Sequence, residues 1–169
     1  HPMSERSRNA IFNKIQSFLP EADVLDAFAG TGALGLEALS RGAGSATFIE
    51  KDRLAQTILA ENLQILDKNE SAGEGKLIRA SVSGWLNSTT SQFELGEIAE
   101  IPTFDIIFAA PPYYDPPFPT IERLSERLNE DGILILSQPK EIETFSAQNL
   151  EIIDEKLYSG AKIIYLRKK

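Results

Sequence analysis

The sequence predicts a three-layer α/β domain on a mostly parallel seven-stranded sheet, closed by a C-terminal antiparallel hairpin. Three observations carry this. Short apolar runs alternate with helical patterns as far as residue 137, the order that gives a parallel sheet covered by helices on both faces. The glycine-rich turn at Gly30-Thr31-Gly32 joins an apolar run to a helical pattern, as in a β-α-β unit. The last two apolar runs meet at Ser159-Gly160 with no helix between them. No repeat or linker divides the chain, so residues 1–169 are expected to form one domain.

The elements follow in order. Ser4 is placed to cap an accessory helix over residues 4–19, with Ala10, Ile11, Ile15, Phe18 and Leu19 near one face and Pro20 as its stop. Val24 to Ala27 reads as a short buried strand, and Ala33 to Arg41 as a helix stopped by Gly42. Ala46 to Ile49 is a second strand ending at Glu50, and Leu54 to Leu66 a long helix. Residues 67–75, polar with two glycines, read as a loop before a third strand at Lys76 to Arg79. A short helical or irregular stretch surrounds Trp85, and residues 88–103, rich in Ser, Thr, Glu and Gly, read as an exposed connection. Asp105 to Ala109 is a fourth strand, followed by a loop that prolines stiffen by fixing φ. Thr120 to Asn129 is a helix, Gly132 opens a fifth strand at Ile133 to Ser137, and Glu151 to Tyr158 pairs with Lys162 to Arg167.

Composition narrows the function. Cysteine is absent and His1 is the single histidine, which removes disulfides, thiolate metal sites and a Ser-His-Asp triad; no metal is expected. No apolar run approaches the roughly 20 residues needed to span a membrane, and the first residues do not read as a signal peptide. A cytoplasmic monomer without membrane partners is the expectation. The net charge of −8 opposes a general affinity for nucleic acid, because neutralising phosphate needs Lys and Arg. Yet Arg6, Arg8 and Lys14 against Glu5 make the N-terminal stretch locally basic.

Ligands of such sheets bind beyond the carboxyl ends of the strands. Three segments lie there. In the first, Gly30, Gly32 and Gly35 have the G-x-G-x-x-G spacing that brings backbone N–H groups and a helix N-terminus to a ligand. Glycines alone suggest a dinucleotide; Asp26, at the strand end before them, suits a cofactor carrying a positive centre or an amino group. In the second, Glu50 is placed to accept hydrogen bonds from ribose hydroxyls. In the third, the strand 104–109 runs into Ala110-Pro111-Pro112-Tyr113-Tyr114. Prolines leave carbonyls free to accept from an amine, and a tyrosine can stack on a planar base, worth roughly 1–3 kcal/mol. The bland alternatives are a tight turn, a common strand-end acid and a rigid structural loop.

These residues resemble a known family. The block Leu25 to Ala43, the block Phe48-Ile49-Glu50-Lys51-Asp52 and the Pro-Pro-Tyr loop resemble class I S-adenosylmethionine-dependent methyltransferases with a Rossmann-like fold. More closely, they resemble the RsmD-like family, which methylates guanine N2 in small-subunit ribosomal RNA. The resemblance extends over most of residues 1–137 and includes the N-terminal block His1 to Asn13. It implies S-adenosyl-L-methionine as cofactor, held by Asp26, Ala27, Phe28, Gly30 and Gly32 on its methionine side. It implies Glu50 at the ribose, with Lys51 and Ser81 at the adenine. Ala110, Pro111, Pro112 and Tyr113 would form the catalytic loop, and Arg6 and Arg8 an RNA-binding face. The implied partner is ribosomal RNA or the small-subunit particle.

Three departures from the family pattern stand out. Ala110 replaces the Asp or Asn that normally opens the Pro-Pro-Tyr loop, removing an acceptor that would orient the amine. Ser81 stands where an acid is expected after the third strand. His1 and Asn9 replace Arg and Glu, and the β-hairpin the family places ahead of this block is missing, so a truncated chain or a shortened RNA-binding face is expected. The competing expectations are a cofactor-binding homologue weakened by Ala110, a DNA or protein amino-methyltransferase, and an NAD-dependent oxidoreductase.

Overall fold

The computed structural model describes residues 3–169; His1 and Pro2 of the N-terminal block lie outside the described residues. Seven strands form one sheet in the order β3-β2-β1-β4-β5-β7-β6. The strands β1 (Asp23–Asp26), β2 (Ser45–Glu50), β3 (Glu74–Arg79), β4 (Phe104–Ala109) and β5 (Leu128–Gln138) run parallel to one another. β7 (Ala161–Lys168) lies antiparallel between β5 and β6 (Leu150–Tyr158). The predicted sheet and closing hairpin are therefore present, and Gly160 supplies the positive φ of 83° in the hairpin turn.

Alternation along the strands builds the three layers. Val24, Ile106 and Phe108 face one cluster with α1 (Glu5–Lys14), α2 (Ala33–Ser40) and α3 (Arg53–Asp67). Leu25, Ile107 and Ala109 face the other, with α4 (Val82–Glu94) and α5 (Phe118–Ser125). With both faces covered, β1 and β4 read as near-continuous apolar runs. The strand order reverses between β1 and β4, which opens a crevice at their carboxyl ends. No helix among the described residues is long and apolar enough to cross a membrane.

Several boundaries differ from the sequence reading. Ser4 caps α1 by accepting from the Ser7 N–H at 3.1 Å, but the helix ends at Lys14 and a 3-10 turn covers Gln16–Phe18. That tighter turn carries Leu19 into the core, 1% exposed, before Glu21 reverses the chain at φ 60°. β3 starts within the expected loop. Its Gly75 lies under Leu63 of α3, and a Cβ there would come within 2.4 Å of that side chain.

The largest difference is α4, a 13-residue helix where a short stretch was expected. Val82, Trp85, Leu86 and Thr89 are its buried face at helical spacing, with the polar Thr89 breaking the apolar pattern. Thr89 donates to the Trp85 carbonyl at 2.9 Å and accepts from buried Arg127 at 2.8 Å. The Arg127 guanidinium lies 4.9 Å from the Trp85 ring centroid, and burial lowers its pKa. It locks α4 to the start of β5, and α5 stops at Ser125 because Leu128 already pairs with Phe104.

Candidate functional site

The glycine turn gives each glycine a separate task. Gly30 has φ 57° and open space where a Cβ would be, so the backbone bends beside the crevice. Gly32, at φ 94°, begins α2; a Cβ there would lie 2.3 Å from Leu59, so it serves the packing of α3. Gly35 brings α2 down on β2, where a Cβ would lie 2.3 Å from Cε1 of Phe48. Phe48 is fully buried and has nowhere to retreat. Gly35→Ala is therefore expected to destabilise the protein by about 1–3 kcal/mol, read as a lower urea midpoint.

Two carboxylates occupy the N–H groups of this turn. Asp26 accepts from the Gly35 N–H at 3.0 Å. Glu50 accepts from the Gly30 N–H at 2.8 Å with one oxygen and from the Asp52 N–H at 2.7 Å with the other. Asn62 of α3 donates to the Thr31 carbonyl at 3.1 Å and pins the turn from behind. Asp26 is 1% exposed, and its pKa is pushed up to about 7. Burial is the main cause; the Gly35 N–H opposes it and the Glu50 charge adds to it. The floor of the site is rich in acceptors and holds a carboxyl that is costly to ionise without a cation nearby.

Beyond this floor lies a cavity of about 640 Å³. From the first segment Asp26, Ala27, Phe28 and Gly30 line it; from the second and third strand ends, Glu50, Lys51 and Ser81. Ala110, Pro111, Pro112 and Tyr113 form its opposite wall, and Arg8 of α1 reaches its edge. The structure thus brings together residues distant in sequence, as the strand-end rule anticipates.

Two of the expected residues lie elsewhere. Gly32 does not line the cavity, because its absent side chain is filled by Leu59 rather than by space for a ligand. Arg6 is exposed and does not line it, whereas Arg8 lines it and sits 3.5 Å from Glu37 in an ion pair. The hydroxyl of Ser81 is engaged as the cap of α4, accepting from the Gly84 N–H at 3.1 Å.

The far wall is built around prolines. Pro111 is buried and its carbonyl accepts no backbone hydrogen bond among the described residues, whereas the Pro112 carbonyl opens the turn over Tyr113 and Tyr114. Tyr113 is held by a hydrogen bond between its hydroxyl and that of Ser137 on β5. Tyr114 lines the cavity too but is 89% exposed. Ser137 was not among the sequence candidates. The signal for it was its place at the end of β5, the strand beside β4, where the same strand-end rule applies. Met3 and Thr120 also line the cavity without any sequence signal, and so does Asp115, which lies close to the loop in sequence but out of position for a simple replacement of the missing acceptor at 110.

The family model described as Conserved hypothetical protein 95 matches residues 1–167. The chain belongs to that family. A Haemophilus influenzae protein named Ribosomal RNA small subunit methyltransferase D is 34% identical over 113 residues, 67% of this chain and 53% of its own length. The Escherichia coli protein of the same name is 41% identical over 85 residues, 50% of this chain and 41% of its own. The chain spans about half the length of the curated relatives it matches. A solved structure of a conserved hypothetical protein from Streptococcus pyogenes is 29% identical, with a TM-score of 0.77 and 95% of each chain covered. The RsmD-like resemblance read from the sequence is borne out by these relatives.

Proposed function

We propose that the chain is an S-adenosyl-L-methionine-dependent methyltransferase acting in the cytoplasm on ribosomal RNA, at guanine N2 in the small subunit. One observation carries the choice of cofactor. Two N–H groups of the glycine turn, those of Gly30 and Gly35, already donate to carboxylates, Glu50 and Asp26, on the face a phosphate would approach. Two carboxylates repel a phosphate and attract cations and hydroxyl donors. That disfavours NAD and suits a ligand with an ammonium, a sulfonium and a ribose diol. When bound, S-adenosyl-L-methionine supplies a methyl group on positively charged sulfur for transfer to a nucleophile.

The chain's own residues bind and orient. Asp26 faces the cationic side of the cofactor, with Ala27, Phe28 and Gly30 as the wall. Glu50 uses its remaining lone pairs for the ribose hydroxyls, and Lys51 and Ser81 flank the adenine. At the opposite wall the Pro111 carbonyl accepts from the amine, turning its lone pair toward the methyl. Tyr113, steadied by Ser137, offers a ring face to the base. Arg8, which lines the cavity, would contact the RNA backbone.

Labelled S-adenosyl-L-methionine incubated with unmethylated small-subunit particles tests this reading. The expected product is N2-methylguanosine in the digested RNA. Cofactor binding without transfer would overturn the enzymatic reading, and label in DNA or protein would move the acceptor class. A second reading is favoured by Ala110, whose methyl offers no hydrogen-bond acceptor: a cofactor-binding homologue with weakened catalysis.

A further inference from the structure

We infer that Asp115 reads the Watson–Crick edge of the acceptor base; this rests on the guanine-N2 reading above. The carboxylates on the cofactor side are committed, Asp26 to Gly35 and Glu50 to Gly30 and Asp52. Along the opposite wall, from Ala110 to Thr120, Asp115 is the sole charged residue lining the cavity. It is exposed, and its carboxylate enters no hydrogen bond or ion pair among the described residues. The Tyr113 hydroxyl is taken by Ser137, and Ala110 has no polar atom in its side chain. Pro112, Pro116 and Pro117 bracket Asp115 and restrict the backbone that presents it.

The chemistry of the edge fits a carboxylate. Guanine places two N–H donors side by side, at N1 and N2, and two carboxylate oxygens accept both. Adenine and cytosine place an amine donor beside a ring-nitrogen acceptor, whose lone pair a carboxylate repels. One group would therefore select guanine and hold the N2 amine toward the methyl donor, a task that an acceptor at position 110 would otherwise share.

The test compares wild type, Asp115→Asn and Asp115→Ala. Methyl transfer to unmethylated small-subunit particles and calorimetric binding of S-adenosylhomocysteine are measured on each, with thermal melting as a folding control. Asp115→Ala is expected to lose roughly 10- to 100-fold in kcat/KM, the weight of a hydrogen bond to a charged group, with cofactor affinity and melting unchanged. Asp115→Asn is expected to fall between, since its amide keeps one acceptor. An active wild type with Asp115→Ala within twofold of it would overturn the inference, as would an equal loss of cofactor affinity. A wild type that binds cofactor but transfers nothing would overturn the parent reading and this inference with it.

Discussion

Replacing Asp26 with Asn is expected to stabilise the ligand-free protein at pH 8 while weakening cofactor binding by about 10²-fold. The folded-state pKa of about 7 stands well above the ordinary value of 3.8. A raised carboxyl pKa means that the native state holds its proton longer than the unfolded chain does. The favourable contribution is complete below the unfolded value, declines as pH rises, and is gone once pH passes the folded value. Above pH 7 the ionised Asp26 therefore costs on the order of 4 kcal/mol relative to a neutral isostere. Asn retains a carbonyl oxygen for the Gly35 N–H and never ionises. Asp26→Asn should melt on the order of 10 °C higher than wild type at pH 8, with the difference vanishing near pH 4.

Cofactor binding should respond in the opposite sense. A cation beside Asp26 favours the ionised form, so wild-type affinity should fall as pH drops below about 7, by up to tenfold per unit. The Asn variant should bind weakly and without that dependence. Melting and calorimetry across pH 5 to 8 separate the two effects. Equal stability of the two proteins at pH 8 would place the burial cost somewhere other than Asp26.

This trade-off explains why part of the site was legible in the sequence. Asp26 and Glu50 are acids at the ends of apolar strands, where local packing gives no reason for charge, and the glycines between them mark a close approach. The role of Gly32 was not legible, because spacing cannot separate a glycine that faces a ligand from one that faces Leu59. The length of α4 was hidden by Thr89, a polar residue on a buried face whose partner, Arg127, lies far along the chain. The early start of β5 depended on the Phe104–Leu128 pairing, a tertiary contact with no local signature. Ser137 needed the sheet order before it could be placed behind Tyr113, and Asp115 needed the fold of the proline loop before it could be placed at the cavity.

Ala110→Asn is expected to raise methyl transfer on the order of 10²- to 10³-fold, provided the restored acceptor acts mainly in the transition state. Ala110 lines the cavity, so the longer side chain extends into open volume while its Cβ keeps its packing against the core. The amide oxygen would accept from the amine and hold its lone pair toward the methyl donor. Cofactor affinity should not change, since Asp26 and Glu50 are untouched. The size of the gain depends on Asp115. Two acceptors aimed at one amine are partly redundant, so the substitution should help Asp115→Ala more than it helps wild type. A double-mutant cycle over these positions, read in kcat/KM on unmethylated particles, gives the coupling. A silent wild type made active by Ala110→Asn would favour the weakened-homologue reading. A measurable wild-type rate with strong coupling would mean that the proline loop moved its carboxylate from position 110 to 115 and kept the reaction.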